Sequence, residues 1–368
     1  MKNHNIKAIA SCIRFPDYLG LSQAHVAEEN NSPNPGDLVL LRCVESAGAY
    51  TSLETLSGEN VPLTSGDLFV AVLGNRFSGT NVYGVIPEEA MQTGSKLDLV
   101  AIGGIVARAI EVPGYYGNKT LSAEVVGFPI KLTGEKLNIN SSGIPAQVGK
   151  IHPSNFNCIV VCGTSAEVGK TTLTCSIGKQ IKASHPDYRV GAIKACGTGR
   201  IKDLQSYQKA GFDVAVDYVD FGLSTTYGLP GAHFADILEQ MANHVGKQTD
   251  VVMLEVGGDL YEANAPAVLN LGRELGAQFV LVVNDAMGAM EALRVLREQK
   301  TTPVCIASYK QNMHSLAERL QHRDSFYLDM NRPSDLITAV DQKLFPNFSH
   351  RPIPIGGFYN PPGPEDRI

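Results

Sequence analysis

The residues with the clearest chemical pattern form a glycine-containing stretch, GTSAEVGKTT, at positions 163–172. Triphosphate oxygens need several converging backbone N–H donors, and Gly163 and Gly169 allow the backbone to turn tightly and approach them closely. Lys170 would bridge the β- and γ-phosphates, and the Thr171 hydroxyl would bind magnesium. The stretch therefore predicts a phosphate-binding loop for ATP and Mg²⁺, although an ordinary glycine turn before a helix is the alternative. The predicted nucleotide-binding residues of this loop are Gly163, Thr164, Ser165, Ala166, Glu167, Val168, Gly169, Lys170, Thr171 and Thr172.

Two charged residues lie at the ends of apolar runs further along the chain. Glu255 follows DVVMLE, and Lys194 lies in GAIKACGTGR. Ligands of open α/β sheets bind at the carboxyl ends of strands, so we expect Glu255 to hold magnesium and Lys194 to bind an anion. The alternatives are a helix-capping or solvated carboxylate and a lysine that extends to the surface.

The elements that would position these groups begin near residue 155. Apolar runs alternate there with helical patterns, and strands buried on both faces have such continuous apolar sequences. Alternation with helices requires right-handed crossovers. The pattern predicts an α/β fold with a doubly wound, mainly parallel sheet. The apolar runs are residues 156–163, 188–196, 213–219, 250–256, 277–284 and 302–308.

The first part of the chain has a different pattern, with short apolar runs separated by turn-forming residues. Many short strands without helices between them predict a small all-β domain, barrel-like or a sandwich. The polar, turn-rich segment 137–147 is interpreted as a linker. We therefore predict a β-rich domain over residues 1–148 and a nucleotide-binding domain over 149–368. The apolar runs are residues 37–43, 67–73, 97–112 and 121–132.

Composition excludes several classes of protein. The 368 residues, 43% of them hydrophobic and 18% charged, are typical of a soluble globular protein of two domains. A net charge of −6 argues against a nucleic-acid partner, and no apolar run approaches the length of a membrane span. With no signal peptide pattern at the N-terminus, we expect a cytoplasmic location. The seven cysteines form no CxxC pair, and the nine histidines form no zinc motif.

Four motifs, in matching order, resemble the dethiobiotin synthetase family. GTSAEVGKTT resembles the nucleotide loop of that family, GTDTxVGKT, and AIKACGTG at 192–199 resembles its GYKPVxxG. Asp203 in KDLQSYQKAG resembles a downstream aspartate, and EVGGD at 255–259 resembles EGxGG. The chain departs from the family at Ser165, Ala166 and Val256, so we do not expect dethiobiotin as the product. It is also similar to two-domain P-loop proteins of N-acyl or D-amino-acid metabolism, through its loop and residues 216–228.

The resemblance implies roles for individual residues. Lys170 and Lys194 would be catalytic and contact phosphates or an activated carboxylate. Magnesium would be held by Thr171, Asp203 and Glu255. Asn284, at the end of the run AQFVLVVN, is placed where a base-recognising residue is plausible. The family also implies a homodimer with active sites near the interface.

These observations predict an ATP-dependent, magnesium-requiring enzyme of kinase or ligase type. Its substrate would be a small acidic metabolite, with no nucleic-acid or membrane partner. The alternative is a regulatory or partner-loading ATPase or GTPase that acts by conformational switching. The absence of a lysine early in the loop and the sequence VNDAM in place of NKxD disfavour it. A third hypothesis places ligand binding in the β-rich half, through Arg76, Tyr83, Tyr115 and Tyr116.

Overall fold

A computed structural model of the chain describes residues 1, 4–145 and 156–345. The predicted domain boundary between residues 148 and 149 lies outside the described residues, as does the end of the predicted linker. The described residues nevertheless separate into a β-rich half before this gap and an α/β half after it.

The α/β half contains seven parallel strands in the described residues, in the order β16-β15-β17-β14-β18-β19-β20. The structure thus confirms the parallel sheet that the apolar runs predicted. The strands are β14 (Asn157–Gly163), β15 (Val190–Lys194), β16 (Val214–Asp217), β17 (Val251–Glu255), β18 (Gln278–Val282), β19 (Pro303–Ser308) and β20 (Phe326–Asp329). The helices are α1 (Lys170–Ser184), α2 (Ile201–Lys209), α3 (Gly231–Gly246), α4 (Ala265–Glu274), α5 (Ala286–Glu298), α6 (Met313–Leu320) and α7 (Pro333–Thr338), followed by a π-helical turn (Ala339–Leu344).

Helices cover both faces of this sheet, which explains why its strands are apolar throughout. On β14, Val160 and Cys162 belong to one hydrophobic cluster, whereas Ile159 and Val161 belong to another. Side chains alternate between the two faces of a strand. One cluster includes α3, α4 and α5, and the other includes α1, α2 and the π-helical turn. The sheet is therefore doubly wound.

The sequence patterns missed two features of the strands. Strand β20 has only four residues, lies at the sheet edge and is only partly buried, so its apolar pattern is weak. The long run at 97–112 is two antiparallel strands joined by a turn at Gly104. Gly104 has φ +99°, and a Cβ there would lie 2.1 Å from the Cβ of Ala10. This turn requires glycine for both reasons.

The β-rich half is built around a closed ring of five strands in the order β7-β4-β13-β11-β12, completed by parallel pairing of β12 with β7. This ring is barrel-like, one of the two arrangements that the sequence left open, and shorter strands extend beyond it. The strands are β1 (Ile6–Ile9), β2 (His25–Ala27), β3 (Glu29–Asn30), β4 (Leu38–Glu45), β5 (Ser52–Glu54), β6 (Asn60–Pro62), β7 (Leu68–Leu73), β8 (Arg76–Phe77), β9 (Tyr83–Val85), β10 (Met91–Gln92), β11 (Lys96–Ala101), β12 (Ile105–Glu111) and β13 (Ser122–Ile130).

The described part of the predicted linker is packed against both halves. Leu137 and Ile139 are buried, and the amide of Ile144 donates a 2.7 Å hydrogen bond to the carbonyl oxygen of Asp220. A Cβ on Gly143 would lie 2.7 Å from the backbone carbon of Phe221. The polar residues of this segment form a 3-10 helix, capped by the side chain of Asn138. The described residues of the predicted linker (137–147) are therefore a docked segment, and the linker interpretation itself stays a prediction.

A single hydrophobic cluster extends through the barrel and one face of the α/β sheet. The two halves also approach closely through backbone, since a Cβ on Gly103 would lie 1.9 Å from the carbonyl oxygen of Gly199. Among the described residues, no helix combines the length and apolar character needed to cross a membrane.

Candidate functional site

The predicted phosphate loop connects the end of β14 to the start of α1. Glu167 and Gly169 have positive φ angles of 60° and 101°, so the loop turns sharply just before the helix begins at Lys170. A Cβ on Gly163 would lie 2.7 Å from Cγ1 of Val168 and 3.0 Å from the carbonyl oxygen of Val282. Glycine is therefore required at position 163 because a side chain would clash with these neighbours. It is required at position 169 because other residues rarely adopt such a positive φ angle.

The loop has free donors facing a cleft. The backbone amides of Ala166, Glu167 and Gly169 make no hydrogen bond with described residues, and all three residues line the cleft. They lie beside the N-terminus of α1, where the helix dipole favours an anion. This strand, glycine loop and helix within a parallel sheet are the arrangement of a P-loop NTPase fold.

Lys170 is held inside this loop by backbone oxygens. Its Nζ donates to the carbonyl oxygens of Ser165 at 2.7 Å and Gly258 at 2.6 Å. The residue is only 5% exposed. Burial, followed by the positive charge of Lys194, lowers the pKa of Lys170 to about 8. A phosphate group would supply the negative charge that this buried ammonium lacks.

Glu255 connects three elements of the site. It is fully buried, and its Oε1 accepts hydrogen bonds from Thr171 Oγ1 at 2.6 Å and from Lys194 Nζ at 2.5 Å. Its Oε2 accepts from the hydroxyl of Tyr207 at 2.6 Å. Burial would raise the pKa of Glu255, but the charge and hydrogen bond of Lys194, with the other two donors, lower it below its usual value. The alternative of a solvated or helix-capping carboxylate is therefore wrong.

The register of the sheet brings Lys194 and Glu255 together. The two residues are directly paired at the carboxyl ends of the adjacent strands β15 and β17. Asp203, on α2, places Oδ2 3.6 Å from Lys194 Nζ. Burial would lower the pKa of Lys194, but the carboxylates of Asp203 and Glu255 raise it above its usual value. Lys194 is thus a charged group inside the site, with a side chain only 14% exposed.

The oxygen groups predicted to hold magnesium are close together. A threonine hydroxyl and carboxylates are hard oxygen ligands, which suit Mg²⁺. The Lys194 ammonium lies between Glu255 and Asp203, so an ion on Oε1 of Glu255 would share that atom with the lysine or displace it. No cluster of three His, Cys, Asp or Glu residues suited to a metal occurs in the described residues. The donor set fits a magnesium ion that a nucleotide also coordinates, as P-loop sites require.

The predicted nucleotide-binding residues have two positions relative to the cleft. Those that line it are Ala166, Glu167, Gly169, Lys170, Thr171 and Thr172. Those that do not are Gly163, Thr164, Ser165, Val168 and Asn284. The side-chain amide of Asn284 donates to Ser165 Oγ at 2.7 Å, and its backbone amide donates to Thr164 Oγ1 at 3.3 Å. Asn284 therefore supports the loop, and its Oδ1 is buried without a hydrogen-bond partner among described residues.

The cleft has a volume of about 300 Å³ and a second wall from the β-rich half. The sequence already indicated Arg76 as a candidate ligand-binding residue. Its neighbours Ser78 and Asn81 were not predicted, because they belong to no recognisable motif. Tyr227 and Glu262, from the α/β half, also lacked one. The lining residues outside the loop are Arg76, Ser78, Asn81, Lys194, Cys196, Gly197, Thr198, Arg200, Asp203, Tyr227, Glu255, Gly257, Gly258 and Glu262.

A second link between the halves is the carboxylate of Glu54, which is fully buried. Its Oε2 accepts from the backbone amide of Ile201, the first residue of α2, at 2.9 Å and from Ser11 Oγ at 2.7 Å. Its Oε1 accepts from Arg200 Nε at 3.2 Å. The β-rich half therefore caps the helix that carries Asp203.

No protein-family model and no curated protein matches the chain. Solved structures that match include two of the signal recognition particle receptor FtsY from Elizabethkingia anophelis. The first has 19% identity and a TM-score of 0.30, over 46% of this chain and 52% of that chain. The second, in complex with GDP, has 15% identity and a TM-score of 0.36, over 55% and 67%. The chain spans about half the length of the first, and both TM-scores are too low to show a shared overall fold.

Proposed function

We propose that this protein uses the magnesium salt of a nucleoside triphosphate, most simply ATP, to phosphorylate or activate a small acidic metabolite. The observation that carries this proposal is the second lysine. Lys194 reaches the Thr171–Glu255 pair from a neighbouring strand and stays charged there. Binding the nucleotide requires only the loop and its own Lys170. A second cation at the reacting end suits a substrate anion or the charge that develops during transfer.

The chain's own groups would act mainly by position and charge. The free amides of the loop and Lys170 would bind the phosphates, while Thr171 and Glu255 would hold magnesium. The nucleotide would supply the phosphoryl group. Lys194 would stabilise negative charge at the acceptor, and the wall from the β-rich half would limit the entry of water. A kinase or a ligase could use this arrangement.

Membership of the dethiobiotin synthetase-like superfamily is part of this proposal. The matched motifs lie at the carboxyl ends of β14, β15 and β17 and at the start of α2, where a nucleotide site on such a sheet is formed. The position of Asn284 supports the loop more directly than it supports base recognition. The choice between ATP and GTP is therefore left to measurement, with ATP as our expectation.

A conformational switch driven by nucleotide is the second candidate. The contact that favours it is the cap from Glu54 to Ile201, because α2 also carries Asp203 next to Lys194. A nucleotide that draws Lys194 away from its carboxylates would change the environment of α2 and, through the cap, of the β-rich half. A switch of this kind would respond to a protein partner and not to a metabolite.

The proposal is tested by measuring nucleotide diphosphate release from ATP or GTP with a panel of carboxylates and amino acids, alone and in pairs. We expect an acid to stimulate release. Lys170→Ala should abolish that release, whereas Lys179→Ala, at an exposed position of the same helix, should retain it. Lys194→Ala should lose the stimulation by the acid, and the exposed Lys202→Ala is its control.

Two results would contradict the proposal. Substrate-dependent turnover that survives Lys194→Ala would remove Lys194 from the reaction. Hydrolysis that no acid stimulates, but that a protein partner does, would favour the switch.

A further inference from the structure

The wall that the β-rich half contributes to the cleft contains a cation with no carboxylate partner. Arg76 lines the cleft, and no described carboxylate lies within salt-bridge distance of it. The other cations of the cleft are already held. Lys194 pairs with Glu255, Arg200 pairs with Glu54, and Lys170 donates to backbone oxygens.

The guanidinium of Arg76 is fixed at one end only. Its Nη1 donates to the hydroxyl of Tyr50 and to the carbonyl oxygen of Val100. Its Nε is buried and has no hydrogen-bond partner within the described residues. Its Nη2 also has no hydrogen-bond partner within the described residues but, unlike Nε, keeps exposed surface, so Nη2 is where an acceptor from the cleft is expected. A guanidinium N–H forms a short, charge-assisted hydrogen bond with a carboxylate oxygen.

The segment that carries Arg76 is held over the cleft by the α/β half. Ser224 Oγ donates to the carbonyl oxygen of Leu73 at 3.0 Å, and Thr225 Oγ1 donates to that of Asn75 at 2.9 Å. Beyond Arg76, the amide of Gly79 donates to Glu262 Oε1 at 2.7 Å. The backbone is thus held on both sides of Arg76, which helps to preorganise the guanidinium as a binding group.

From this geometry we propose that Arg76 binds a carboxylate of the acidic substrate, with the β-rich half as the substrate-recognition part of the site. The inference deepens the proposed function and rests on it. The phosphates already have the loop amides and Lys170 as partners on the opposite wall. The hydroxyl of Ser78 and the amide of Asn81 line the same wall and offer further polar contacts. The substrate is thus a small molecule with a carboxylate at one end and the reacting group at the other, near Lys194.

The test uses malonate as the probe, because it is a dicarboxylate small enough for the cleft. The protein is first saturated with Mg²⁺ and ADP or GDP, whichever binds more tightly, so that the phosphate loop is filled. Malonate binding is then measured by calorimetry for the wild type, Arg76→Gln and Arg76→Lys. Arg108→Gln is the matched control, because Arg108 belongs to the same half and is more than half exposed.

We expect Arg76→Gln to weaken malonate binding by at least about tenfold, since it removes a charged hydrogen-bond donor. Arg76→Lys should retain part of the affinity, and Arg108→Gln should stay within about twofold of the wild type. Three results would overturn the inference. They are a wild type that does not bind malonate, an Arg76→Gln protein that binds it equally well, and an Arg76→Gln protein that loses affinity for the nucleotide instead.

The nucleotide titration in the same samples separates the two proposals. A wild type that binds neither ADP nor GDP would contradict the proposed function. Normal nucleotide binding with malonate affinity that is independent of Arg76 would contradict only the role of Arg76. Melting temperatures of all variants verify folding, and Arg76→Lys, which keeps the positive charge, provides a second variant if Arg76→Gln is unstable.

Discussion

At the scale of single residues, the site depends on one buried carboxylate. Glu255 accepts hydrogen bonds from Thr171 at the start of α1, Lys194 at the end of β15 and Tyr207 on α2. Its charge compensates the buried ammonium and is available to a metal ion. A buried charge of this kind is tolerated only because every oxygen is paired.

The first prediction concerns this charge. Glu255→Gln should reduce turnover by about 100-fold or more, because an uncharged amide is a poor magnesium ligand and leaves Lys194 without full compensation. The Mg²⁺ concentration for half-maximal activity should rise, while binding of the diphosphate without metal should change little. Tyr207→Phe, which removes one hydrogen bond but no charge, is the control. An unchanged Mg²⁺ requirement in Glu255→Gln would show that Glu255 does not hold the metal.

At the scale of elements, the helix that carries Asp203 and Tyr207 depends on a residue far away in the chain. The first amide of α2 is capped by Glu54, which belongs to β5 of the β-rich half. The helix has nine residues and no side-chain cap from its own N-cap residue, Arg200. Its start is therefore stabilised by tertiary structure.

The second prediction concerns this cap. Glu54→Ala should lower the free energy of unfolding by about 2 kcal/mol, because it removes the cap and leaves Ser11 and Arg200 without their acceptor. Glu54→Gln keeps an acceptor oxygen and should cost less. Urea denaturation measures both, with Glu45→Gln as an exposed control. Equal stability of Glu54→Ala and the wild type would mean that α2 does not need the cap.

At the scale of the whole molecule, a buried ionic cluster joins the two halves. Arg14 Nη2 lies 2.5 Å from Asp217 Oδ2, and Arg14 Nε lies 3.5 Å from Asp220 Oδ1. Two carboxylates share one guanidinium in a largely buried site, in which the Asp220 side chain is 13% exposed. Burial, followed by the charge of Asp217, raises the pKa of Asp220 to about 7, despite the opposing effect of Arg14.

The third prediction is a pH dependence with a defined sign. The pKa of Asp220 is raised in the folded state, so its contribution to stability is fully present below about pH 4 and is lost as the pH rises through about 7. Asp220→Asn has no such loss. Its stability relative to the wild type should therefore increase from pH 4.5 to pH 8, by an amount on the order of 1 kcal/mol or more. Urea denaturation at several pH values measures the difference, and a constant difference would contradict the prediction.

The fourth prediction concerns cooperativity. One hydrophobic cluster and the Arg14 and Glu54 links cross between the halves, although a second cluster lies within the α/β half alone. We expect residues 1–145 and 156–345 to unfold in one calorimetric transition, with equal calorimetric and van't Hoff enthalpies. Two separate transitions would show instead that the halves are independent domains, as the two patterns in the sequence suggested.

The sequence alone determined the features that depend on neighbouring residues. Continuous apolar runs that alternate with helical patterns were sufficient to predict the parallel sheet, because a strand buried on both faces has a continuous apolar sequence. The spacing of Gly163, Gly169, Lys170 and Thr171 was sufficient to predict a phosphate loop, because the backbone of one short segment would bind the phosphates. Short strands with turns between them indicated a small barrel or a sandwich, but not which of the two, nor its role in the site.

Tertiary structure decided everything that required partners from distant segments. The register of β15 and β17 pairs Lys194 with Glu255. No local pattern encodes this register, because the two residues are 61 positions apart in the sequence. The docking of the barrel brought Arg76 to the cleft and Glu54 to the start of α2, and it turned an expected linker into a packed segment. These contacts depend on the shapes of two surfaces built from distant segments, which no local sequence pattern encodes.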